Sequence, residues 1–219
     1  MGYPVLSSGS DAQRMRRDTH PREWRVGAVS APCQVPLAFC TATLCPWCVA
    51  YNQRSRALHG DLGAYVCCGG SFPCSGRCGE RDCPELCLAC EVFCCFGTSV
   101  AVNRFMIQDE LGIANSRCDN CLIGTQFALS QLACICSCIG CITGNDSIIE
   151  LANALTFCAD VGWCLLCGCL QAQQADALNL RDEALGATPM TPPPQQMMSG
   201  LSLPPPVTGS QAVEQRWKV

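Results

Sequence analysis

The sequence predicts an all-α fold built of helical hairpins. Three observations carry that expectation. Apolar residues between residues 33 and 186 recur at helical rather than alternating spacing. Residues 120–145 form a run of 26 without one charged side chain. All 23 cysteines lie between residues 33 and 169, in segments punctuated by Gly, Pro and helix-start signals.

The 219 residues divide into three parts. Residues 1–30 are polar, with five Arg between Arg14 and Arg25 and no apolar leader, and are read as a mobile segment. Gly2 is a poor myristoylation site, because Leu6 stands where Ser or Thr is needed. Residues 31–186 are the cysteine-rich helical domain. Residues 187–219 are rich in Pro, which removes backbone donors and favours extended chain, and are read as a disordered tail. A PxxP ligand is the second reading of that tail.

Within the domain, a first helix is expected over 45–59, with Pro46 in its first turn and Gly60 as its stop. Residues 60–82 read as an irregular loop. A second helix is expected over 82–110, where Asp82 and Glu85 have capping-box spacing. A third follows Asp119 and runs to about residue 143. A fourth starts at Ser147, with Glu150 three residues on, and ends near residue 185, before Gly186.

The third helix bears on the compartment. About 20 apolar residues cross a bilayer core, and its run is longer than that, although it includes two Gln, two Ser and two Thr. The second helix has only 12 uncharged residues between Glu91 and Arg104, and the fourth contains Asp160. The expectation is a membrane hairpin of the third and fourth helices with cytosolic termini. The alternative is a buried helix in a soluble cytoplasmic bundle.

Composition narrows the chemistry. Hydrophobic residues make up 49% and charged residues 15%, enough for a packed core. The net charge of −4 offers no basic field to nucleic acid. The odd cysteine count prevents full internal pairing, so the thiols are expected to be reduced. Two cysteine patterns stand out. Cys83, Cys87, Cys90 and Cys94 share a helix face, as do Cys134, Cys138 and Cys141, and both stripes are expected to face inward. The second pattern lies in loops: Cys67, Cys68, Cys74, Cys78 and Cys83 crowd a Gly-rich segment, and Cys118 and Cys121 form a CxxC. Zinc takes four such ligands tetrahedrally, so these seven are the candidate metal ligands; His59 could add a donor, but a lone His at a helix end reads first as a polar terminus. Cys118 and Cys121 are expected to share the ion with the 67–83 loop and so staple it to the third helix.

Catalysis finds no support. CPWC at 45–48 invites a redox reading, but no strand of a βαβ unit precedes it. His20 and His59 lack a nucleophile context, and there is no P-loop or GxGxxG. The chain is read as a non-enzyme.

Three segments, LCPWCVAYNQRSRAL at 44–58, VNRFMIQDELGIANSRCDNCLI at 102–123 and CLLCGCLQAQQADALNLRD at 164–182, resemble the placenta-specific-eight family. That family includes cornifelin and the plant cadmium-resistance and cell-number regulators. The resemblance covers most of residues 33–182; residues 65–83 and 122–143 look like additions. It implies membrane association and a part in metal tolerance or cell-number control, without established catalysis. The expected function is a membrane-associated, metal-binding protein with a regulatory, scaffold or metal-homeostasis role. Zinc is its cofactor, and a membrane, protein partners or further copies of itself are its partners. The alternative is a soluble zinc-stapled helical adaptor.

Overall fold

The computed structural model describes residues 16–70, 75–76 and 79–186. In chain order the elements are β1 (Arg22–Glu23), α1 (Ala31–Gln34), α2 (Pro36–Leu44), α3 (Pro46–Ala57), short 3₁₀ turns at Leu62–Ala64 and Cys67–Gly70, α4 (Pro84–Cys94), α5 (Phe96–Leu111), β2 (Ile113–Ala114), α6 (Arg117–Thr143) and α7 (Asp146–Gly186). Among the described residues the all-α expectation stands, relieved only by the parallel pairing of β1 with β2.

Proline sets most helix starts. Each of α1 to α4 carries Pro in its first two positions, where the missing N–H would have had no partner. The residue before a proline is pushed out of the helical region. Val35, Cys45 and Cys83 accordingly sit at φ −133°, −134° and −140°. Cys95 leaves the helix too, at φ −128°, with no proline behind it. There α4 and α5 bend by 116°. Ser116 caps α6 by accepting from the Asp119 N–H at 3.0 Å. Gly144 closes α6 in the left-handed conformation, φ 61°, which a side chain would strain. Asn145 then accepts from the Ser147 N–H, and α7 begins.

The molecule has a base and a projecting hairpin. In the base, the second half of α7 is wrapped by the shorter helices. Leu166 and Leu170 pack with Leu58, Leu88, Val92 and Val100, and Leu178 packs with Trp24, Ile107 and Ile113. In the hairpin, α6 and the first half of α7 meet through small residues: Ala133, Gly140, Ala152 and Ala159 are buried. The larger apolar side chains point away from the protein. Phe127, Leu132, Ile135, Ile139 and Ile142 of α6 are exposed, as are Ile149, Leu151, Phe157, Val161 and Leu165 of α7. Helices α6 and α7 are each long and apolar enough to cross a membrane.

Several expectations change. Residues 16–30 were read as part of a mobile segment, but Trp24, Val26 and Ala28 are buried and Arg17 pairs with Asp109. The first helix of the domain begins before Cys45, because α1 and α2 precede it. The continuous helix expected over 82–110 is two helices, broken at Cys95. The Asp82–Glu85 capping box does not form: Cys83 is the N-cap and its side chain makes no capping bond. The cysteine stripes do not face inward. Cys83, Cys90, Cys94, Cys134, Cys138 and Cys141 are exposed and only Cys87 of the two stripes is half-buried against the core, because Leu88, Glu91 and Val92 claim the packed face of α4 and Ala133 and Gly140 that of α6. Cys45 and Cys48, expected as free thiols, are joined in a disulfide. Residues 1–15 and the 187–219 tail lie outside the described residues.

Candidate functional site

The base is held together by buried charges. Arg54 falls on the face of α3 that also carries Ala50 and Ala57, so packing that face drags a guanidinium inside. Glu91 is drawn in likewise between Leu88 and Val92 of α4. The two meet with Nη2 to Oε1 at 2.9 Å, both side chains fully buried. Arg54 also donates to Asn103 Oδ1 and to the Ser99 carbonyl. Asn103 passes a hydrogen bond on to the Ala50 carbonyl at 2.9 Å. Losing either ion would strand the other without water, which typically costs about 3–5 kcal/mol.

A second buried pair lies beside the first. Arg104 of α5 donates to Asp119 at 3.2 Å, to Gln173 at 2.9 Å and to Asn115 at 2.9 Å. Its guanidinium stands 4.2 Å from the centre of the Trp24 ring, a cation–π contact. Desolvation lowers the Arg104 pKa to about 10, against the opposing pull of Asp119, so it stays charged at neutral pH. Gln173 binds the Val26 carbonyl at 2.7 Å, and Asp119 accepts from the Ala28 N–H at 3.1 Å. These bonds fasten the N-terminal segment to α6 and α7. At the outer rim Arg181 joins Glu110 and the Arg56 carbonyl, and His59 pairs with Glu110 at 3.0 Å.

The Arg54–Glu91 pair opens onto two thiols. Glu91 Oε2 accepts from the Tyr65 hydroxyl and from the Cys68 N–H, each at 2.7 Å. Cys68 adopts φ 50°, a left-handed conformation costly for a side chain, and the Glu91 bond holds it there. Cys67 and Cys68 sulfurs lie 3.8 Å apart, and the Cys67 N–H donates to Glu80 at 3.0 Å. Cys67, Cys68 and Glu91 together offer three ligand atoms within 4.8 Å of one another. Burial, and then the Glu91 charge, push the Cys68 thiol up; burial does the same to Cys67. Both thiols are therefore protonated at neutral pH when no cation is near.

The seven cysteines singled out from the sequence are placed as follows. Cys67 and Cys68 belong to this cluster. Cys83 is exposed at the start of α4, and Cys118 and Cys121 are exposed in the first turns of α6. Among the described residues, none of these three joins a group of metal-donor atoms of that closeness. Cys74 and Cys78 lie outside the described residues. His59 is engaged by Glu110 instead. Glu91 and Arg54 were not anticipated, because helical spacing alone places a charge on the solvated face until its partner is known.

No family model matches the chain, nor does any curated protein or any solved structure.

Proposed function

We propose that this chain is a membrane-anchored, cysteine-rich protein whose α6–α7 hairpin enters the bilayer. Its base stays in the aqueous phase and holds a soft divalent metal ion at Cys67, Cys68 and Glu91. The role is regulatory or scaffolding, not catalytic. One observation carries the reading: the hairpin buries Ala and Gly between its helices and exposes Phe, Ile and Leu along its length, while the base, which buries its charges, exposes a shorter apolar set, Val29, Leu37, Leu44, Trp47, Leu86 and Phe93. In water that inversion would leave a large apolar surface uncovered. In lipid it is the expected packing, small residues between helices and large ones toward the acyl chains.

The metal half of the proposal rests on charge. With thiols protonated, Glu91 and Arg54 sum to zero. With a divalent ion in place of the two protons, two thiolates, Glu91, Arg54 and the ion again sum to zero. The exchange adds no net charge to the buried site. Zinc with these three donors keeps its fourth tetrahedral position for another ligand. The resemblance to the placenta-specific-eight family is part of the same proposal. Its three segments supply Arg54, then Asn103, Arg104 and Asp119, then Gln171, Gln173 and Asp176, which are buried in the base.

Extraction of cell membranes at alkaline pH with carbonate tests the anchor. The full chain is expected to stay in the pellet, and a variant carrying Ile135, Ile139 and Ile142 as Ser to be released at least in part. Release of the unaltered chain into the supernatant would favour the soluble zinc-stapled adaptor.

A further inference from the structure

Two corners of the base point toward the hairpin. Helix α2 runs along α7 in that direction. Its Val35 and Phe39 pack with Ala172, and its Thr43 reaches Gly168, where an added Cβ would stand 2.8 Å from the Thr43 Oγ1. The chain turns at Cys45, and α3 climbs back, with Gln53 bonded to the Gln171 carbonyl and Arg56 to Asp182. Helices α4 and α5 repeat the turn at Cys95. Just beyond it Gly97 lies against the Trp163 ring, and α5 then climbs to Arg104 beside Gln173 and Glu110 beside Arg181. The two corners touch. The Trp47 ring stacks on Phe93 with centroids 5.8 Å apart and meets Phe96 edge-on at 6.5 Å.

The surface they present is apolar. Leu44 is 85% exposed, Phe93 69%, and Trp47 45% despite its ring contacts. Cys40 and Leu37 continue the face of Leu44 back along α2, and Cys90 and Leu86 that of Phe93 back along α4, at helical spacings, and all four are exposed. Residues 26–53 contain no charged side chain and no His. The ion pairs of the base gather toward the far end of α7, where Arg25 meets Asp176, Arg56 meets Asp182 and Arg181 meets Glu110.

Continuity says what covers the corners. Trp163 stands where α7 leaves the base, and the exposed Phe157, Val161 and Leu165 of α7 lie within two turns of it. Whatever solvates those side chains also reaches Leu44, Trp47 and Phe93. The corner residues offer no charge for a protein partner to answer. Trp side chains and short helices with one apolar face settle at the level of lipid headgroups. Asp160, one turn from Trp163, is about 4.5 Å further along the axis and stays inside a headgroup layer about 5–7 Å thick.

We infer that the corners at Cys45 and Cys95 form a wedge seated in the same lipid surface that the hairpin enters. Leu44, Trp47 and Phe93 dip to the boundary between headgroups and acyl chains, and the rest of the base stands in water. The wedge fixes how deep the hairpin goes and how the base is tilted over the bilayer. This inference rests on the membrane-anchored reading.

The test uses the full chain reconstituted in phosphatidylcholine vesicles whose acyl chains carry bromine either close to the headgroup or near the chain end. Subtracting the Trp emission of Trp47→Phe from that of the unaltered chain isolates Trp47. Shallow bromine is expected to quench Trp47 at least about twofold more than deep bromine, and iodide in the water to quench it little. Leu44→Asp combined with Phe93→Asp should lift the corners and open Trp47 to iodide. Val29→Asp should not, because Val29 lies at the far end of α2, beside the Ala28 N–H that Asp119 holds. Iodide quenching of Trp47 in the unaltered chain, or deep bromine outdoing shallow, would overturn the inference. So would shielding from both quenchers, which would put a second copy of the chain on the corners. Resistance of the hairpin to protease and carbonate in the same vesicles reads insertion separately. A chain that fails to insert sinks the membrane reading, and one that inserts with Trp47 open to iodide sinks only the wedge.

Discussion

At the scale of single residues, the two thiols beside Glu91 have a pH signature. Burial and the Glu91 carboxylate keep Cys67 and Cys68 protonated, so a divalent ion that takes both sulfurs must expel two protons. Zinc affinity should therefore rise with pH, by up to about hundredfold per unit while both thiols are protonated in the free protein. Competition with a zinc indicator between pH 6 and pH 8, on detergent-solubilised protein, measures the slope. Cys67→Ser leaves one thiol and should cut the slope to about tenfold per unit. A flat profile in the unaltered protein would remove the metal from the proposal. Cys67 and Cys68 were legible from the sequence as candidate ligands. Glu91 and Arg54 were not, because a charged residue in an apolar helix reads as its solvated face until a partner is seen opposite it.

At the scale of elements, the hairpin depends on close approach where α6 and α7 cross. A Cβ added at Gly162 would stand 2.5 Å from Gln126 Oε1, and Gln126 in turn donates to the Ala159 carbonyl at 2.6 Å. Gly162→Ala should displace that amide and destabilise the hairpin by about 1–3 kcal/mol. Gly124, on α6, has nothing within 4 Å of the same added atom. Gly124→Ala should be neutral or stabilising by up to about 1 kcal/mol, since Ala is the better helix former. Thermal unfolding of the two variants in one detergent compares them, and equal midpoints would show that the crossing is looser than the geometry implies. The helix start at Pro46, the stop at Gly112 and the end of α6 near residue 143 could be read from local chemistry, whereas the start at Pro84 was placed at Asp82. The break at Cys95 could not: no proline follows it and Gly97 lies two residues on, inside the first turn of α5, and the chain turns there because Leu88 and Val92 on one side and Val100 on the other pack against the same core.

At the scale of the whole molecule, the base closes only when the N-terminal segment is laid across it. Trp24 packs against Leu178 and under Arg104, and the Val26 carbonyl and Ala28 N–H are bonded by Gln173 and Asp119. Trp24→Ala removes a buried ring and a cation–π contact, and should cost about 3–5 kcal/mol. Limited proteolysis should then cut the segment before residue 30 at protease levels that leave the unaltered protein intact. Unchanged protection in Trp24→Ala would mean that the segment is held by its polar bonds alone.

The sequence by itself determined the helical class, the long uncharged run of α6, and the ends of α3, α6 and α7. Those follow from side-chain periodicity and from what Pro, Gly and Ser do to their own backbone within a few residues. Only the tertiary structure decided which charges are buried, that the cysteine stripes face outward, that residues 22–30 belong to the core, and that two thiols and one carboxylate converge. Each of those depends on groups tens of residues apart: Arg54 with Glu91, Arg104 with Gln173, Trp24 with Leu178. A helix offers several faces to its surroundings, and which one is buried depends on whatever other element arrives against it.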